Sequence, residues 1–199
     1  MPIKVIGLTG PSGAGKSSVC RVAKKENIPF IDADKVYHSL LTAGSDCTQA
    51  LVLEFGNGIL DSNGAPDTKR LAAIVFSSEE KLTRLNSLVL HFVIEKLRLM
   101  ISELEASSEK CVIVDAPTLI ESGFHKECDI VVSVIAPRAD RIGRICARDG
   151  ISIENAEKRV VSQHPDEFYI THSDIVIIND ADEDALEEKT RDLIDRILV

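Results

Sequence analysis

The feature that most constrains the fold of this chain is a glycine-rich loop at residues 10–17, which reads Gly-Pro-Ser-Gly-Ala-Gly-Lys-Ser. A short and nearly continuous apolar run, residues 3–9, comes directly before it, as expected for a buried parallel strand. Glycine weakens a packed element because it adds backbone entropy and no side-chain contact. A loop that contains Gly10, Gly13 and Gly15 is therefore expected to lie where a ligand comes very close to the main chain.

The loop fits the pattern G-x-x-x-x-G-K-[ST] at every fixed position, between a predicted strand and a predicted helix. Backbone amides without Cβ atoms can surround a phosphate, and the start of the helix adds partial positive charge. We expect Lys16 to reach the β- and γ-phosphates of a nucleoside triphosphate and Ser17 to give its hydroxyl to Mg²⁺. The alternative is a flexible turn that carries a lysine, and the loop alone does not specify a reaction. The predicted phosphate-binding residues are Gly13, Ala14, Gly15, Lys16, Ser17 and Ser18.

Composition limits the class of ligand. The chain has 199 residues, of which 44% are hydrophobic, enough for one core with a small inserted lobe. The formal net charge of −9 argues against general nucleic-acid binding, which needs a basic surface, so an anionic ligand must be held by a local cluster of donors. We find no secretion signal and no apolar run near the ~18 residues that span a bilayer. The sequence therefore predicts a cytoplasmic protein that binds neither nucleic acid nor membrane.

The cysteines have no metal-ligand spacing and lie among apolar neighbours. We expect them to be reduced and packed as small hydrophobic residues rather than paired in disulfides. They are Cys20, Cys47, Cys111, Cys128 and Cys146.

Apolar runs and helical patterns alternate along the chain, which predicts a parallel sheet covered on both faces. Helices are expected at residues 16–25, 138–148, 152–163 and 183–199, and strands at residues 3–9, 28–34, 111–117, 129–137 and 174–180. With the glycine-rich loop, this order predicts an α/β, three-layer fold of the P-loop NTPase type with a five-stranded parallel sheet.

The segment between the second and third predicted strands, residues 35–107, is mostly helical and too long for a single crossover. We predict that it forms an inserted helical lobe. Its clearest helix is expected to start at a capping box formed by Ser77 and Glu80. The predicted core then comprises residues 1–34, 108–137 and 166–199, and residues 138–165 form a helical lid.

Carboxylates follow two of the predicted strands. Asp32 and Asp34 end the second strand, where ligands bind in doubly wound sheets, and such a carboxylate can accept a proton from an attacking hydroxyl. Asp34 can instead cap a helix beginning near Lys35, and capping does not exclude catalysis. Asp115 ends the third strand, either as an acidic residue near Mg²⁺ or as part of a turn.

Arg141, Arg144 and Arg148 fall within about 60° of arc on a helix that turns 100° per residue. We interpret them as an outward-facing row that closes over ATP as a mobile lid, since guanidinium groups suit phosphate oxygens. Arg159 and Gln163 on the next helix can belong to the same lid. The alternative is a solvated face with i,i+4 ion pairs.

The chain lacks the N-K-x-D motif of a GTPase switch. Residues 61–64, Asp-Ser-Asn-Gly, match the loose pattern D-x-x-G, but they lie in a predicted turn between helices. We treat that match as chance.

Six segments together resemble the dephospho-CoA kinase family over nearly the whole chain. They are GLTGPSGAGKSS, IDADKV, LNSLVLHFVI, DAPTLIESG, RICARDGIS…AEKRVVSQ and SDIVIIND. The resemblance implies transfer of phosphate from ATP to the ribose 3′-hydroxyl of 3′-dephospho-CoA, and it implies that the inserted lobe binds the CoA substrate. The protein is then expected to be a monomer or a weak homo-oligomer.

By position, the resemblance makes Asp34 the candidate base and implies that His91, otherwise interpreted as a structural helix residue, faces the substrate. It further implies catalytic roles for Lys16, Arg141 and Arg144, ATP contacts for Arg148 and Asn179, and substrate contacts for Asp34, His91, Asp115 and Pro117. The chain departs from the family pattern at Thr68, Phe92, Thr118, Ile120 and Ser173. Two other hypotheses remain: another small-metabolite or nucleoside kinase, and a regulator that binds ATP without transferring phosphate.

Overall fold

The protein is described by a computed structural model that covers residues 2–198. Its strands are β1 (Lys4–Thr9), β2 (Phe30–Asp32), β3 (Cys111–Asp115), β4 (Ile130–Ile135) and β5 (Ile175–Ile178). Its α-helices are α1 (Lys16–Lys25), α2 (Ala33–Leu40), α3 (Asp46–Phe55), α4 (Thr68–Val75), α5 (Glu79–Ala106), α6 (Arg138–Asp149), α7 (Ile153–Val161), α8 (Asp166–Thr171) and α9 (Glu183–Leu198). Short 3₁₀ helices lie at Asn57–Ile59 and Phe124–Glu127.

The strands form one sheet in the order β2-β3-β1-β4-β5, which confirms the predicted five-stranded parallel sheet. The first strand lies at its centre, with Ile6 opposite Ile113 of β3 on one side and Ile130 of β4 on the other. Because both faces of a central parallel strand are covered, β1 is apolar and buried along almost its whole length. Its last residue, Thr9, leads directly into the glycine-rich loop.

Helices α1 and α9 cover one face of the sheet. Val22 and Ala23 of α1 are fully buried there, and Leu193, Ile194 and Ile197 of α9 belong to the same apolar cluster. This packing fixes α1, and therefore its first turn, against the end of β1.

The chain divides into two compact units. One contains the residues up to Ile31 together with those from Ile101 onward, and the other is Asp32–Met100. The second unit has its own apolar core, which includes Cys47, Leu51 and Ile59. All five cysteines are free, as expected.

Two predicted helix starts are wrong by one or two residues. The long helix begins at Glu79 and not at the predicted capping box. The hydroxyl of Ser77 donates to the carbonyl of Ile74. The helix after β2 begins at Ala33, so Asp32 is its N-cap and accepts a hydrogen bond from the amide of Lys35. The predicted strand at residues 28–34 is shorter for the same reason.

Gly10 is required by the approach of β4. Its φ is +136°, and a Cβ atom added there would lie 2.1 Å from the carbonyl oxygen of Val134. We expect Gly10→Ala to lower the free energy of unfolding by about 3 kcal/mol or more, because backbone of the central sheet must move. Urea denaturation measures this loss.

The matched control for this prediction is Gly123→Ala. Gly123 has a φ of +79°, but a Cβ atom there meets nothing within 4 Å. Gly123→Ala should lower the free energy of unfolding by only about 1 kcal/mol, because alanine disfavours the left-handed backbone conformation. Equal losses in the two variants would contradict the steric explanation at Gly10.

Candidate active site

The glycine-rich loop joins β1 to α1 in the geometry that the pattern requires. Gly13 and Gly15 have φ values of +79° and +111°, a region that favours glycine, and α1 begins at Lys16. The first amides of a helix have no acceptor within the helix, so those of Lys16 and Ser17 are suited to bind an anion. The loop therefore has the backbone conformation of a phosphate-binding site.

The same glycines allow other parts of the chain to pack against the loop. A Cβ atom on Gly13 would lie 2.6 Å from the carbonyl oxygen of Arg141, and one on Gly15 would lie 2.4 Å from Nδ2 of Asn179. Glycine is thus needed on the side of the loop that contacts protein.

The side chains at the start of α1 fit a phosphate chain and a divalent cation. Nζ of Lys16 donates to the carbonyl oxygen of Gly10 at 2.7 Å, which keeps the ammonium group over the loop. Ser17 is exposed, and a hydroxyl is among the oxygen ligands that Mg²⁺ accepts. The donor set of the loop therefore matches the predicted ligands in chemistry.

Arg141 does not face outward, so this part of the lid prediction is wrong. Arg141 is only 4% exposed, and its Nε donates to the carbonyl oxygen of Ser12 at 3.2 Å. Nη1 also lies 3.3 Å from Oδ1 of Asp166. Burial lowers the pKa of the Arg141 guanidinium from its ordinary value, while the Asp166 carboxylate opposes that change. Arg141 is thus a buried cation bonded to the loop.

Arg144 and Asn179 also contact the loop. Nη1 of Arg144 donates to the carbonyl oxygen of Gly13 at 3.3 Å, and its Nη2 donates to Oδ1 of Asn179 at 3.4 Å. Asn179, which is buried at the end of β5, donates from Nδ2 to the carbonyl oxygen of Ala14 at 2.8 Å. Helix α6 and the end of β5 therefore hold the loop from the same side.

Arg148 is exposed and oriented by its neighbours. Nη2 donates to the hydroxyl of Ser12 at 3.3 Å, and Nε donates to Oδ1 of Asp149 at 2.7 Å. The carboxylate of Asp149 also accepts from Arg159 of α7. These guanidinium groups, Arg148 first, lower the pKa of Asp149 to about 2. The ion pairs join the ends of α6 and α7 across the turn at Gly150.

Asp115 and Pro117 lie at the end of β3, within the same compact unit as the loop. Sγ of Cys20 in α1 donates to Oδ2 of Asp115 at 3.5 Å. The carbonyl oxygen of Pro117 accepts a hydrogen bond from the hydroxyl of Thr9 at 3.3 Å. The structure thus places both predicted residues beside the elements that carry the loop.

The other two predicted residues, Asp34 and His91, belong to the unit Asp32–Met100. Asp34 is exposed in the first turn of α2, after the N-cap Asp32, so the capping alternative for Asp34 is wrong. His91 is exposed on α5, and its ring makes an edge contact with Phe92, with centroids 5.5 Å apart. Both side chains are accessible to a ligand, and their roles remain predictions.

The sequence did not indicate three of the residues that organise this site. Ser12, Asp149 and Asp166 form hydrogen bonds with the arginines of α6. Of these contacts, only that between Asp149 and Arg148 could have been suspected from the sequence, because the two residues are adjacent. Among residues 2–198, no group of three or more His, Cys, Asp or Glu side chains could hold a metal ion. No helix in this range is long and apolar enough to cross a membrane.

The sheet order and the loop between β1 and α1 define a P-loop nucleotide-binding fold of the kinase type. Residues 4–184 match the family described as dephospho-CoA kinase. The chain therefore belongs to the dephospho-CoA kinase family, as the sequence resemblance predicted. It is a kinase that uses ATP, and its reaction is the phosphorylation of dephospho-CoA to coenzyme A, the last step of coenzyme A biosynthesis.

Relatives support the same assignment. A dephospho-CoA kinase of Fusobacterium nucleatum is 38% identical over 95% of this chain and 96% of its own length. The crystal structure of TT1252 from Thermus thermophilus has a TM-score of 0.80 and 27% identity, and covers 98% of each chain. Dephospho-CoA kinase from Campylobacter jejuni has the same fold, with a TM-score of 0.73, 24% identity, and coverage of 97% of this chain and 96% of that one.

Proposed function

We propose that the protein transfers the γ-phosphoryl group of ATP, bound with Mg²⁺, to the ribose 3′-hydroxyl of 3′-dephospho-CoA, giving coenzyme A and ADP. The observation that carries this proposal is the loop between β1 and α1, with positive φ at Gly13 and Gly15 and with Lys16 at the start of the helix. Phosphoryl transfer depends mainly on positioning and on charge stabilisation, which such a loop supplies.

On the donor side, the amides of the loop bind the phosphate oxygens and Lys16 exchanges its bond to the Gly10 carbonyl for the β- and γ-phosphates. Ser17 holds Mg²⁺, which when bound neutralises charge on the phosphates. Arg144 and Arg148 lie close enough to Gly13 and Ser12 to contribute positive charge at the loop. They stabilise the charge that spreads over the transferred group.

Arg141 and Asn179 act through the loop itself in this proposal. Arg141 donates to the Ser12 carbonyl and Asn179 to the Ala14 carbonyl. A loop fixed in this way loses less conformational freedom when the nucleotide binds.

On the acceptor side, Asp34 orients the 3′-hydroxyl and accepts its proton as the oxygen attacks. His91, Asp115 and Pro117 contact dephospho-CoA, with the helical lobe of residues 35–107 as its binding region and residues 138–165 as a lid. The exposure of Asp34 and His91 supports their access to substrate. We further propose that the protein works in the cytoplasm, where free cysteines such as those of this chain stay reduced. We propose that it is a monomer or a weak homo-oligomer.

Mass analysis of the products tests the proposal directly. Incubation of dephospho-CoA with Mg·ATP should give coenzyme A, identified by fragmentation as the 3′-phosphate, and an equal amount of ADP. Nucleoside monophosphates and small alcohols are tested in parallel as acceptors. Faster transfer to one of them would favour another kinase, and ATP binding without any phosphorylated acceptor would favour a regulator.

A further inference from the structure

Gln163, which follows α7, makes two contacts and has no role of its own in the proposed phosphoryl transfer. Its Oε1 accepts a hydrogen bond from the backbone amide of Ser12 at 3.1 Å and another from Nη2 of Arg141 at 2.9 Å. Ser12 belongs to the glycine-rich loop, and Arg141 to α6. We propose that Gln163 is a positioning residue that fixes the loop in the shape that binds nucleotide. This inference rests on the proposed role of the loop in ATP binding.

The contacts of Gln163 close a ring around Ser12. The amide of Ser12 donates to Gln163, its carbonyl oxygen accepts from Nε of Arg141 at 3.2 Å, and the two side chains bond to each other. The amide and the carbonyl belong to successive peptide units, so both units are held in orientation. They lie immediately before Gly13, whose backbone is otherwise the most permissive that the chain can have.

Gln163 also satisfies a buried charge. Arg141 is 4% exposed, and a buried guanidinium is stabilised when each of its three nitrogens donates to an acceptor. Asp166 accepts a hydrogen bond from Nη1, the Ser12 carbonyl accepts one from Nε, and Gln163 accepts one from Nη2. Because its amide is neutral, Gln163 completes this set without placing a second negative charge beside a loop that must bind phosphates.

Removal of Gln163 therefore has two consequences. The amide of Ser12 loses its acceptor, and Arg141 loses one of the three groups that hold it in place. Both changes loosen the segment that leads into Gly13, so part of the binding energy of ATP must be used to order the loop. Loss of Gln163 should therefore weaken the affinity for ATP and leave the rate of phosphoryl transfer unchanged.

The test compares three variants by calorimetric titration with ATP and by steady-state kinetics. Gln163→Leu keeps the size of the side chain but has no acceptor, and we expect it to raise the Kd for ATP about tenfold. Gln163→Glu keeps an acceptor oxygen at the same reach but adds a negative charge beside the loop, so its Kd for ATP should lie between those of the wild type and of Gln163→Leu. Ser162→Ala, which removes an exposed hydroxyl bonded only to the carbonyl of Arg159 among the contacts described, is the control and should be unchanged.

A residue that merely stabilises the fold would lower Tm without changing the affinity of the folded protein for ATP. The inference thus requires an unchanged KM for dephospho-CoA and an unchanged kcat at saturating ATP in Gln163→Leu. Wild-type ATP affinity in this variant would overturn it. If Gln163→Leu does not fold, Gln163→Asn, whose acceptor is one methylene shorter, takes its place, and wild-type affinity there overturns the inference equally.

Lys16→Met, titrated alongside, separates this inference from the proposed function. If Lys16→Met binds ATP weakly while Gln163→Leu binds it normally, only the role of Gln163 fails. If Lys16→Met binds ATP as the wild type does, the loop is not the ATP site and both fail.

Discussion

Replacing Asp34 by asparagine is expected to lower kcat by about 10²–10⁴-fold, the usual contribution of a general base. Asparagine has nearly the same shape as aspartate, but its amide cannot accept the proton of the ribose hydroxyl. Asp34 is exposed in the first turn of α2, and Asp32 is the N-cap, so the substitution leaves the cap of this helix intact. The effect should therefore be chemical, with little change in stability.

Steady-state kinetics and ATP titration check this prediction together. The Kd for ATP should stay within about threefold of the wild type, because the donor-side contacts are unchanged. Asp192→Asn, which removes one exposed carboxylate from α9, controls for the change in net charge and should be fully active. Near-normal turnover of Asp34→Asn with intact ATP affinity would remove Asp34 from the mechanism.

The sequence predicted the sheet, the loop and the bounds of α1 because their signals are local. An apolar run followed by G-x-x-x-x-G-K-[ST] determines strand, turn and helix within about 25 residues. The helix is predicted at residues 16–25 and is found at Lys16–Lys25. The predicted helices at residues 138–148 and 152–163 likewise leave a break between them, and the structure has Gly150, with a φ of +64°, at the end of α6.

The environment of Arg141 could not be predicted in this way. Helical periodicity shows which residues share a face, but it does not show which face packs against the protein. Arg141 bonds to Ser12, 129 positions earlier in the chain, so its burial depends on tertiary contacts that no local pattern encodes. Because arginine side chains are ordinarily exposed, the sequence favoured an outward-facing position for Arg141.

The two helix starts were mispredicted because several residues nearby can cap a helix. Serine and aspartate are both good N-caps, and Asp32 competes with Asp34 for the start of α2. Only the backbone geometry decides between them, and it places the first helical residue at Ala33. Asp34 is thereby left available for another role.

The fixed loop gives Lys16 a well-defined task, and Lys16→Met is expected to lower kcat/KM for ATP by about 10²–10³-fold. Methionine keeps the length of the apolar stem but has no charge. In the structure the Lys16 ammonium group already lies over the loop, bonded to the Gly10 carbonyl at 2.7 Å, so it reaches the phosphates by exchanging one acceptor for another. No conformational change of α1 is needed, and the lost activity therefore measures the charge itself.

The affinities of Lys16→Met for ATP and ADP test independently which phosphates Lys16 contacts. If Lys16 reaches both the β- and the γ-phosphate, its loss should weaken ATP more than ADP, because ADP lacks the γ-phosphate. Lys24→Met, an exposed lysine in the last turn of the same helix, controls for the loss of one positive charge and should bind both nucleotides normally. An equal loss of ATP and ADP affinity in Lys16→Met would limit Lys16 to the β-phosphate. The charge on the transferred group would then be stabilised by Arg144 and Arg148 of α6, which donate to the Gly13 carbonyl and the Ser12 hydroxyl.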